Sequence, residues 1–488
     1  MLNNTVWVLF TNILVQSVSL GTTLLLAKVL SPEYFGILAI CTIFINLINL
    51  LQDGGFSNYL IQKKNVQKKD IFIVNVINIV SGIILGVVLW SISPFLGDFY
   101  KQDQIGSLLK FLSITLALSS ISLVHRAIMI KEMRFKELSM IDSITMVLGD
   151  LVSLTLAYMN FDFVALLVRI GFKQLISTLL LLLKNRSLIR IEKFNFREFK
   201  EVYEFGFKIL NLQLVTFLGR NIDTFLIGKL IGVRQVGIYS ICIQWSFLVR
   251  NYIAQGISKV ALPNISKYQD DNDKVKDIYL NMISWVAFLG FPIILGLLIT
   301  ADKFVLLAYG DKWSAAIIPL QILLASSIFS TLGTTVGSIF IGLGKPEIEL
   351  RVNILSIIGL VVGIVLGAVF GGLIGVTIAI LLKEIVIVYI FMLNVLKLIK
   401  ARPKELLQRI IPALMSSIIM AILIKMLDVF LNIFVHINPI LDYLGIVSLS
   451  VLVYFILTFL FNKQIVNQIT PFIQSQIFKV FKYRIRGG

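Results

Sequence analysis

The chain alternates long apolar runs with short polar breaks from Val6 almost to its end. Each run is long enough to cross the roughly 30 Å hydrocarbon core of a bilayer as a helix. The breaks contain Pro, Gly and clustered charges, which are the residues that end helices. The pattern predicts an all-α polytopic membrane protein with fourteen spans, at residues 5–27, 35–61, 71–96, 107–130, 137–158, 162–183, 203–228, 236–258, 278–300, 314–342, 350–369, 372–396, 410–430 and 440–461.

One span boundary, within 350–396, has two interpretations. A glycine recurs there every fourth residue, at Gly363, Gly367, Gly371 and Gly375. Such a ladder indicates either a turn between two spans or a face on which two helices pack closely.

Composition limits what else the chain contains. Of its 488 residues, 57% are hydrophobic and 15% are charged, whereas an ordinary globular domain is about 25% charged. Little is left for a soluble domain. The N-terminus lacks the basic region and cleavage site of a signal peptide, so we expect the first span to be retained. The two cysteines lie in apolar runs and the two histidines lack metal-ligand spacing, so no disulfide framework or metal site is predicted.

The distribution of positive charge predicts the orientation. With the N-terminus inside, the inside loops and C-terminal tail carry 29 of the 44 Lys and Arg residues, and the outside loops carry 6. This bias predicts that both termini are cytoplasmic, and it explains the net charge of +17 without nucleic acid. No outside loop exceeds about 15 residues, which leaves little room for a catalytic domain of glycan assembly, so we do not expect an enzyme.

Two short turns indicate an internal repeat. The stretch KVLSPEYFGIL (28–38) is echoed 201 residues later by KLIGVRQVGIY (229–239). The offset contains six spans, an even number, so both copies enter the membrane in the same sense. Parallel repeats are a transporter architecture in which the substrate path lies between the repeats. At this offset the aligned pairs include Lys28 with Lys229, Gly36 with Gly237 and Cys41 with Cys242.

The repeat predicts the domain organisation. An N-lobe (1–183) is followed by a basic and aromatic linker (184–202) and a C-lobe (203–396). Two further helices (397–461) and a basic cytoplasmic tail (462–488) complete the chain. Residues 189–205 and 477–488 suit either contact with the anionic inner leaflet or a topology anchor.

Three segments carry a family resemblance: LAKVLSPEYFGILAICTIFINLINLLQDGGFSNYLIQKK (26–64), FGFKILNLQLVTFLGRNIDTFLIGKLIGVRQVGIYSI (205–241) and YGDKWSAAIIPLQIL (309–323). They resemble bacterial polysaccharide flippases, the Wzx-type translocases of the multidrug/oligosaccharidyl-lipid/polysaccharide exporter superfamily. The resemblance implies two six-helix lobes around a central cavity, with helices 13 and 14 added. It also implies alternating-access transfer of undecaprenyl-pyrophosphate-linked oligosaccharide from the inner to the outer leaflet of the bacterial cytoplasmic membrane. The products would be O-antigen of lipopolysaccharide, capsule or exopolysaccharide.

Cations inside the predicted spans are the candidate substrate-binding residues. A charge within a spanning helix costs about 2.5–3.5 kcal/mol to insert, so it usually faces a cavity or a partner. Arginine suits a pyrophosphate because it binds oxygens bidentately and stays charged. A cation-coupled multidrug or small-molecule exporter of the same superfamily is the alternative, and it should show surplus carboxylates instead. The candidates for a cationic cavity are Arg220, Arg250, Arg169 and Lys173.

Spacing refines these candidates. Arg220 and Asp223 share a helix face, so they form either a local ion pair or part of the cavity. Arg169 and Lys173 are like-charged neighbours on one face, which requires carboxylate partners or a shared anion.

Three carboxylates are candidates for gating or ion coupling. Asp53 lies in QDGGFSNY (52–59), where it would cap a helix end or gate the inner mouth while the following glycines permit a bend. Asp223 and Glu384 lie within spans, and Glu384 is expected on a different part of its helix surface from the adjacent Lys383. No cofactor is expected, and coupling to protons or sodium ions would use these carboxylates. The expected partners are the lipid-linked glycan, membrane lipids and other polysaccharide-assembly membrane proteins, without nucleic acid.

Overall fold

The computed structural model describes residues 2–184, 192, 196–434, 438–462 and 465–467, and these residues form helices and short connections without a strand. The predicted all-α class is therefore confirmed. His436, most of the predicted linker and almost all of the predicted C-terminal tail lie outside the described residues.

Contacts divide the chain into two compact units, Met1–Ser240 and Ile241–Gly488. The division falls after α10 because that helix packs on α2, α3 and α4. The predicted lobe boundaries at 183 and 203 stay a prediction. The helices of the first unit are α1 (Leu2–Val29), α2 (Pro32–Asp53), α3 (Phe56–Gln62), α4 (Lys68–Tyr100), α5 (Asp103–Ser119), α6 (Leu123–Lys131), α7 (Phe135–Tyr158), α8 (Asp162–Leu167), α9 (Lys173–Lys184) and α10 (Phe196–Leu230).

The second unit has its main apolar core between α12, α13, α16, α17 and α18, with a smaller one between α13, α18 and α19. Its first helix, α11, begins in the first unit and ends in the second. The helices are α11 (Val233–Ser246), α12 (Gln255–Lys267), α13 (Asn272–Ile299), α14 (Ala301–Ala308), α15 (Ile317–Gly333), α16 (Val336–Gly342), α17 (Pro346–Leu398), α18 (Pro403–Phe434) and α19 (Pro439–Phe461).

Both interpretations of the glycine ladder hold. Helix α17 is broken at Gly371 and Gly372, where Gly372 has φ 56° and ψ −138°, a conformation that glycine adopts without strain. The two arms then pack backbone to backbone, since a Cβ on Gly367 would lie 2.5 Å from the Gly375 carbonyl oxygen. The ladder therefore supplies a turn and a close helix-packing face together.

Ten helical stretches in the described part of the chain are long and apolar enough to cross a membrane, with Pro346–Leu398 taken as one. The chain is thus a multi-pass membrane protein, and the count of fourteen stays a prediction. The predicted spans 203–228 and 236–258 are not among the ten. These two more polar helices carry Arg220 and Arg250, and helices of low hydropathy are expected next to water or a polar path.

The two duplicated turns contact each other directly in the first unit. A Cβ on Gly36 would lie 1.9 Å from the Val233 carbonyl oxygen, and one on Gly237 would lie 1.8 Å from the Pro32 carbonyl oxygen. The N-terminal turns of α2 and α11 thus meet through their backbones. Glycine at both aligned positions is required by this reciprocal contact.

Replacing Gly36 by Ala should destabilise the protein, because the new methyl group overlaps the backbone of Val233. Overpacking of this kind costs about 1–3 kcal/mol, so we expect a lower Tm and a lower yield of monodisperse protein in detergent. Gly256→Ala is the control, since nothing lies within 4 Å of the added methyl group. Equal Tm values for the two variants would contradict the reciprocal contact.

Candidate transport site

Arg169 lies on an irregular turn of the first unit and binds two other helices. The turn, Val168–Phe172, is π-helical. Such turns are rare in proteins, and those that occur are often at functional sites. The guanidinium donates from Nη2 to Thr23 Oγ1 (2.7 Å) and from Nε to Asp150 Oδ1 (3.3 Å). The side chains of Arg169 and Asp150 are only 14% and 6% exposed. Arg169 is therefore the centre of a buried ion pair that joins α1 and α7.

Lys173 begins α9 one turn later and is exposed. It makes no hydrogen bond or ion pair with any residue that the structure describes. The two like-charged residues therefore differ, because Arg169 forms an ion pair with a carboxylate and Lys173 does not.

Arg220 and Asp223 lie in α10, but they do not form an ion pair. The Tyr239 hydroxyl donates to Asp223 Oδ2 (2.7 Å), and the Thr224 backbone N–H donates to Oδ1 (2.7 Å). Arg220 is exposed and forms no ion pair within the described ranges. The local-pair alternative is therefore wrong, and Arg220 presents an exposed guanidinium on a polar membrane helix.

Arg250 begins the second π-helical turn, Arg250–Ala254, between α11 and α12. Its guanidinium lies over the Phe247 ring at 5.0 Å from the centroid, a favourable cation–π distance. Two of the three predicted cavity arginines, Arg169 and Arg250, thus lie on π-helical turns.

Asp53 ends α2 and caps α3. Gly54 and Gly55 have φ values of 51° and 78°, so the helix breaks where a bend was predicted. Asp53 Oδ1 then accepts from the Ser57 hydroxyl and backbone N–H. Gly206 of α10 packs on this break, since its Cβ would lie 2.7 Å from the Gly54 carbonyl oxygen. The capping role of Asp53 is clear, and its gating role stays a prediction.

The prediction that Lys383 and Glu384 lie on different parts of the helix surface is wrong. Lys383 Nζ donates to Glu384 Oε1 at 2.6 Å, and the two side chains are 13% and 12% exposed. The long lysine stem lies along the small surface of Gly359, 3.6 Å from the position of a Cβ there. This curved path lets sequence neighbours pair inside the second unit.

An apolar groove of about 500 Å³ lies between α11, α13, α15, α18 and α19. We call it the α18–α19 groove. Leu248 and Val249 line it, and Arg250 follows them directly in the chain. A membrane-embedded apolar groove and an arginine are thus placed side by side on one segment.

Five charged side chains form a network at one end of this groove. Lys303 of α14 pairs with Asp428 of α18 and with Asp442 of α19, the latter at 2.5 Å. Lys425 joins Asp428 (3.5 Å) to Asp302 (3.4 Å). Asp428 and Asp442 are only 6% and 11% exposed, so Lys303 neutralises two nearly buried carboxylates from different helices.

Two members of the network are sequence neighbours of residues that line the groove. Phe304 follows Lys303 and Tyr443 follows Asp442, and both aromatic residues line the groove. Their ring centroids lie 6.4 Å apart, and the Trp245 ring lies 4.8 Å from Phe304. The aromatic cluster and the charged network are therefore carried by neighbouring residues of α14 and α19.

Sequence reasoning missed this network. Asp428 lies three residues after Lys425 in an apolar helix, and that spacing was a readable signal. The contribution of Lys303 and Asp442 could not be read, because they come from distant loops and helix ends. No three His, Cys, Asp or Glu side chains in the described part of the chain are grouped to hold a metal ion.

Comparison with known proteins gives the family. The chain matches the model of a family described as "Polysaccharide biosynthesis protein" over residues 25–318. It is 24% identical over 353 residues to the lipopolysaccharide biosynthesis protein WzxC of Escherichia coli (strain K12), covering 72% of this chain and 71% of WzxC.

Solved structures share the fold. The lipid II flippase MurJ in its inward closed conformation has a TM-score of 0.74 and 16% identity, covering 96% of this chain and 100% of that one. An inward-facing multidrug resistance MATE family transporter of the MOP superfamily has a TM-score of 0.61 and 17% identity, covering 79% and 94%.

The fold is therefore that of the polytopic helical transporters of the MOP superfamily. The chain belongs to the polysaccharide biosynthesis protein family. The predicted resemblance to Wzx-type polysaccharide flippases is confirmed.

Replacing Lys303 by Met should strongly destabilise the second unit. The substitution leaves Asp428 and Asp442 nearly buried without their shared cation, and breaking a buried ion pair costs about 3–5 kcal/mol. We expect a marked fall in Tm, partly restored in Lys303→Met/Asp428→Asn/Asp442→Asn.

Lys425→Met is the matched control, since Lys425 is 45% exposed and exposed pairs contribute about 0–1 kcal/mol. If Lys303→Met and Lys425→Met lower the Tm equally, Lys303 is not the main stabilising partner of Asp428 and Asp442.

Proposed function

We propose that this protein is a flippase that moves lipid-linked oligosaccharides across a membrane for surface polysaccharide assembly. Its family membership supports this role. The activity is transport by alternating access, without a chemical step. The observation that carries the proposal is that Arg250 directly follows Leu248 and Val249, which line the α18–α19 groove.

That juxtaposition suits an amphiphile with an anionic headgroup and a long hydrocarbon chain. Arginine forms charge-assisted, bidentate hydrogen bonds with phosphate oxygens and keeps its charge when desolvated. An apolar groove in turn accommodates a hydrocarbon chain through packing contacts, since in a bilayer both the groove and the surrounding lipid are apolar. We assign the substrate as an undecaprenyl-pyrophosphate-linked glycan. Arg250 is the candidate headgroup residue in the second unit, and Arg220 is a separate candidate in the first.

Location and orientation belong to the same proposal. The excess of Lys and Arg on alternate loops supports cytoplasmic termini, and a polyprenyl-linked glycan is supplied on the cytoplasmic side of a bacterial inner membrane. Transport would then run from the inner to the outer leaflet. Coupling to protons or sodium ions stays a proposal, with Asp223, Asp53 and Glu384 as its candidate residues.

The alternative is a cation-coupled exporter of organic cations, which the likeness to a MATE family fold supports only at the level of fold. Such a site needs a carboxylate that is available to the ligand. Here Asp150, Glu384 and Asp428 each pair with a cation, and Asp223 accepts from Tyr239. The surplus of exposed intramembrane charge is positive, at Arg220 and Lys173, which favours an anionic substrate.

Substitution of Arg250 or Arg220 by Ala should impair transport at normal abundance, because each substitution removes a cation that we assign to the anionic headgroup. A hydrogen bond to a charged group contributes about 1.5–3 kcal/mol, so its loss weakens binding roughly tenfold or more. The measurement is leaflet translocation of the host's lipid-linked glycan in proteoliposomes. Lysine at either position should restore part of the activity, and full activity of both alanine variants would refute the cationic site.

Arg169→Ala should behave differently, because it leaves Asp150 buried without its partner. We expect the free energy of unfolding to fall by about 3–5 kcal/mol. The main effect should therefore be a lower abundance of folded protein rather than slower transport. Arg169→Ala/Asp150→Ala should recover abundance, and its transport rate then reports whether Arg169 also contacts substrate. Normal abundance of the single variant would show that the pair is dispensable.

Filling the α18–α19 groove should slow transport. Val451 lines the groove, while its neighbour Leu452 does not, and both are exposed. We expect Val451→Trp to lower the translocation rate several-fold at equal abundance and Leu452→Trp to leave it unchanged. Equal rates in the two variants would show that the groove is not part of the transport path. Efflux of cationic dyes by the wild type would support the alternative function.

A further inference from the structure

A second apolar groove lies in the first unit between the α2–α3 break, α4 and α10. Its volume is about 450 Å³, and we call it the α4–α10 groove. Val80 and Ile84 of α4 form one wall and are 49% and 56% exposed. Its lining includes none of the four candidate cations of the transport site. The groove is therefore open to its surroundings and separate from the residues assigned to the headgroup.

The opposite wall is a ladder of aromatic rings on α10. Phe199, Tyr203 and Phe207 recur every fourth residue and so share one helix face. Successive ring centroids lie 6.0 Å and 6.1 Å apart, with interplanar angles of 20° and 18°. Tyr203 and Phe207 are about half exposed. The three nearly parallel rings thus form a continuous apolar surface along α10, of which Tyr203 and Phe207 are the exposed part.

The groove runs from the helix ends towards the middle of the membrane. The lining on α10 runs from Phe199, in the first turn, to Leu210, 11 residues later, about 16.5 Å along the axis at 1.5 Å per residue. The hydrocarbon core is about 30 Å thick. Since α10 begins on the side predicted to be cytoplasmic, the groove spans most of the inner leaflet.

Around the mouth of the groove, four carboxylates of the described residues have a partner. Glu198, beside Phe199, pairs with Lys69 of α4 at 3.1 Å. Asp70 pairs with Lys63 (2.8 Å), Glu204 pairs with Lys200 (3.8 Å), and Glu201 accepts from the Tyr59 hydroxyl (3.1 Å).

Two cations remain at this mouth. Lys64 precedes α4 and Lys68 begins it. Both are exposed and make no ion pair with a residue that the structure describes. The mouth therefore carries a surplus of positive charge at the inner interface, where anionic lipids attract basic residues by about 1 kcal/mol each.

We propose that the α4–α10 groove binds an anionic glycerophospholipid of the inner leaflet, with one acyl chain on the aromatic ladder and the headgroup at Lys64 and Lys68. The positive charge at the mouth favours this occupant over an uncharged lipid, because basic residues at the inner interface attract anionic headgroups.

Binding at this place would brace the α2–α3 break. Gly54 lines the groove, and Gly55 and Gly206 pack so closely that a Cβ on Gly55 would lie 2.9 Å from the Gly206 carbonyl oxygen. An acyl chain in the groove contacts both sides of this junction. A lipid that binds the folded protein and not the unfolded chain raises the Tm with its concentration.

The experiment measures the Tm of delipidated, full-length protein in detergent during titration with three lipids. They are phosphatidylglycerol, phosphatidylcholine with the same acyl chains, and undecaprenyl phosphate. We expect phosphatidylglycerol to raise the Tm more than phosphatidylcholine. Val80→Trp fills the groove and should at least halve the rise, whereas Val87→Trp, on the same helix outside the groove, should keep it.

The headgroup is tested by Lys64→Gln/Lys68→Gln, which should remove the advantage of phosphatidylglycerol over phosphatidylcholine. Lys400→Gln/Lys404→Gln, two exposed lysines of the second unit, is the control. Equal shifts with both phospholipids, or a full shift in Val80→Trp, would overturn the proposal. So would a shift with undecaprenyl phosphate alone, which would assign the groove to the substrate. None of these readouts depends on transport, so they stand whether or not the proposed function is correct.

Discussion

The structure depends on the high free energy of an uncompensated charge in the hydrocarbon core. That constraint sorts the ionisable residues of the membrane helices into two groups. Asp150 with Arg169, Glu384 with Lys383, and Asp428 with Lys303 are paired and nearly buried, and the first and third of these pairs join different helices. Arg220 and Lys173 are exposed on membrane helices without such a pair. A charge of the second kind persists only where water or an anionic ligand reaches it, so these residues locate the polar path more reliably than the buried pairs do.

Much of the fold could be predicted from the sequence, because membrane helices are specified locally by length and hydropathy. The break at Gly371 and Gly372 and the close packing at Gly367 were both readable from one ladder. The duplicated turns were recognised as equivalent corners, but their mutual contact was not. Nothing in a sequence shows that Gly36 and the carbonyl group of Val233 meet, since that contact joins residues about 200 positions apart.

The candidate site could be predicted less well, for a related reason. Sequence gives which charges lie in the membrane, whereas partners are set by tertiary packing. Lys383 and Glu384 appeared to diverge around the helix, yet the flexible lysine stem turns back along the surface of Gly359. Asp223 appeared to belong to Arg220, yet the Tyr239 hydroxyl donates to it across α10 and α11. Long side chains and hydroxyl partners are the two features that helical spacing alone does not take into account.

The two π-helical turns add a further constraint on how such a protein moves. A π turn contains one more residue per turn than its neighbours and weakens the regular hydrogen-bond ladder at that level. Arg169 and Arg250 each lie on one of these turns, so a change in the contacts of either guanidinium acts where its helix is easiest to bend. Arg169 is held by Asp150 and Thr23, whereas Arg250 adjoins the α18–α19 groove. A point of easy bending therefore lies at a buried ion pair in the first unit and directly after two groove-lining residues in the second.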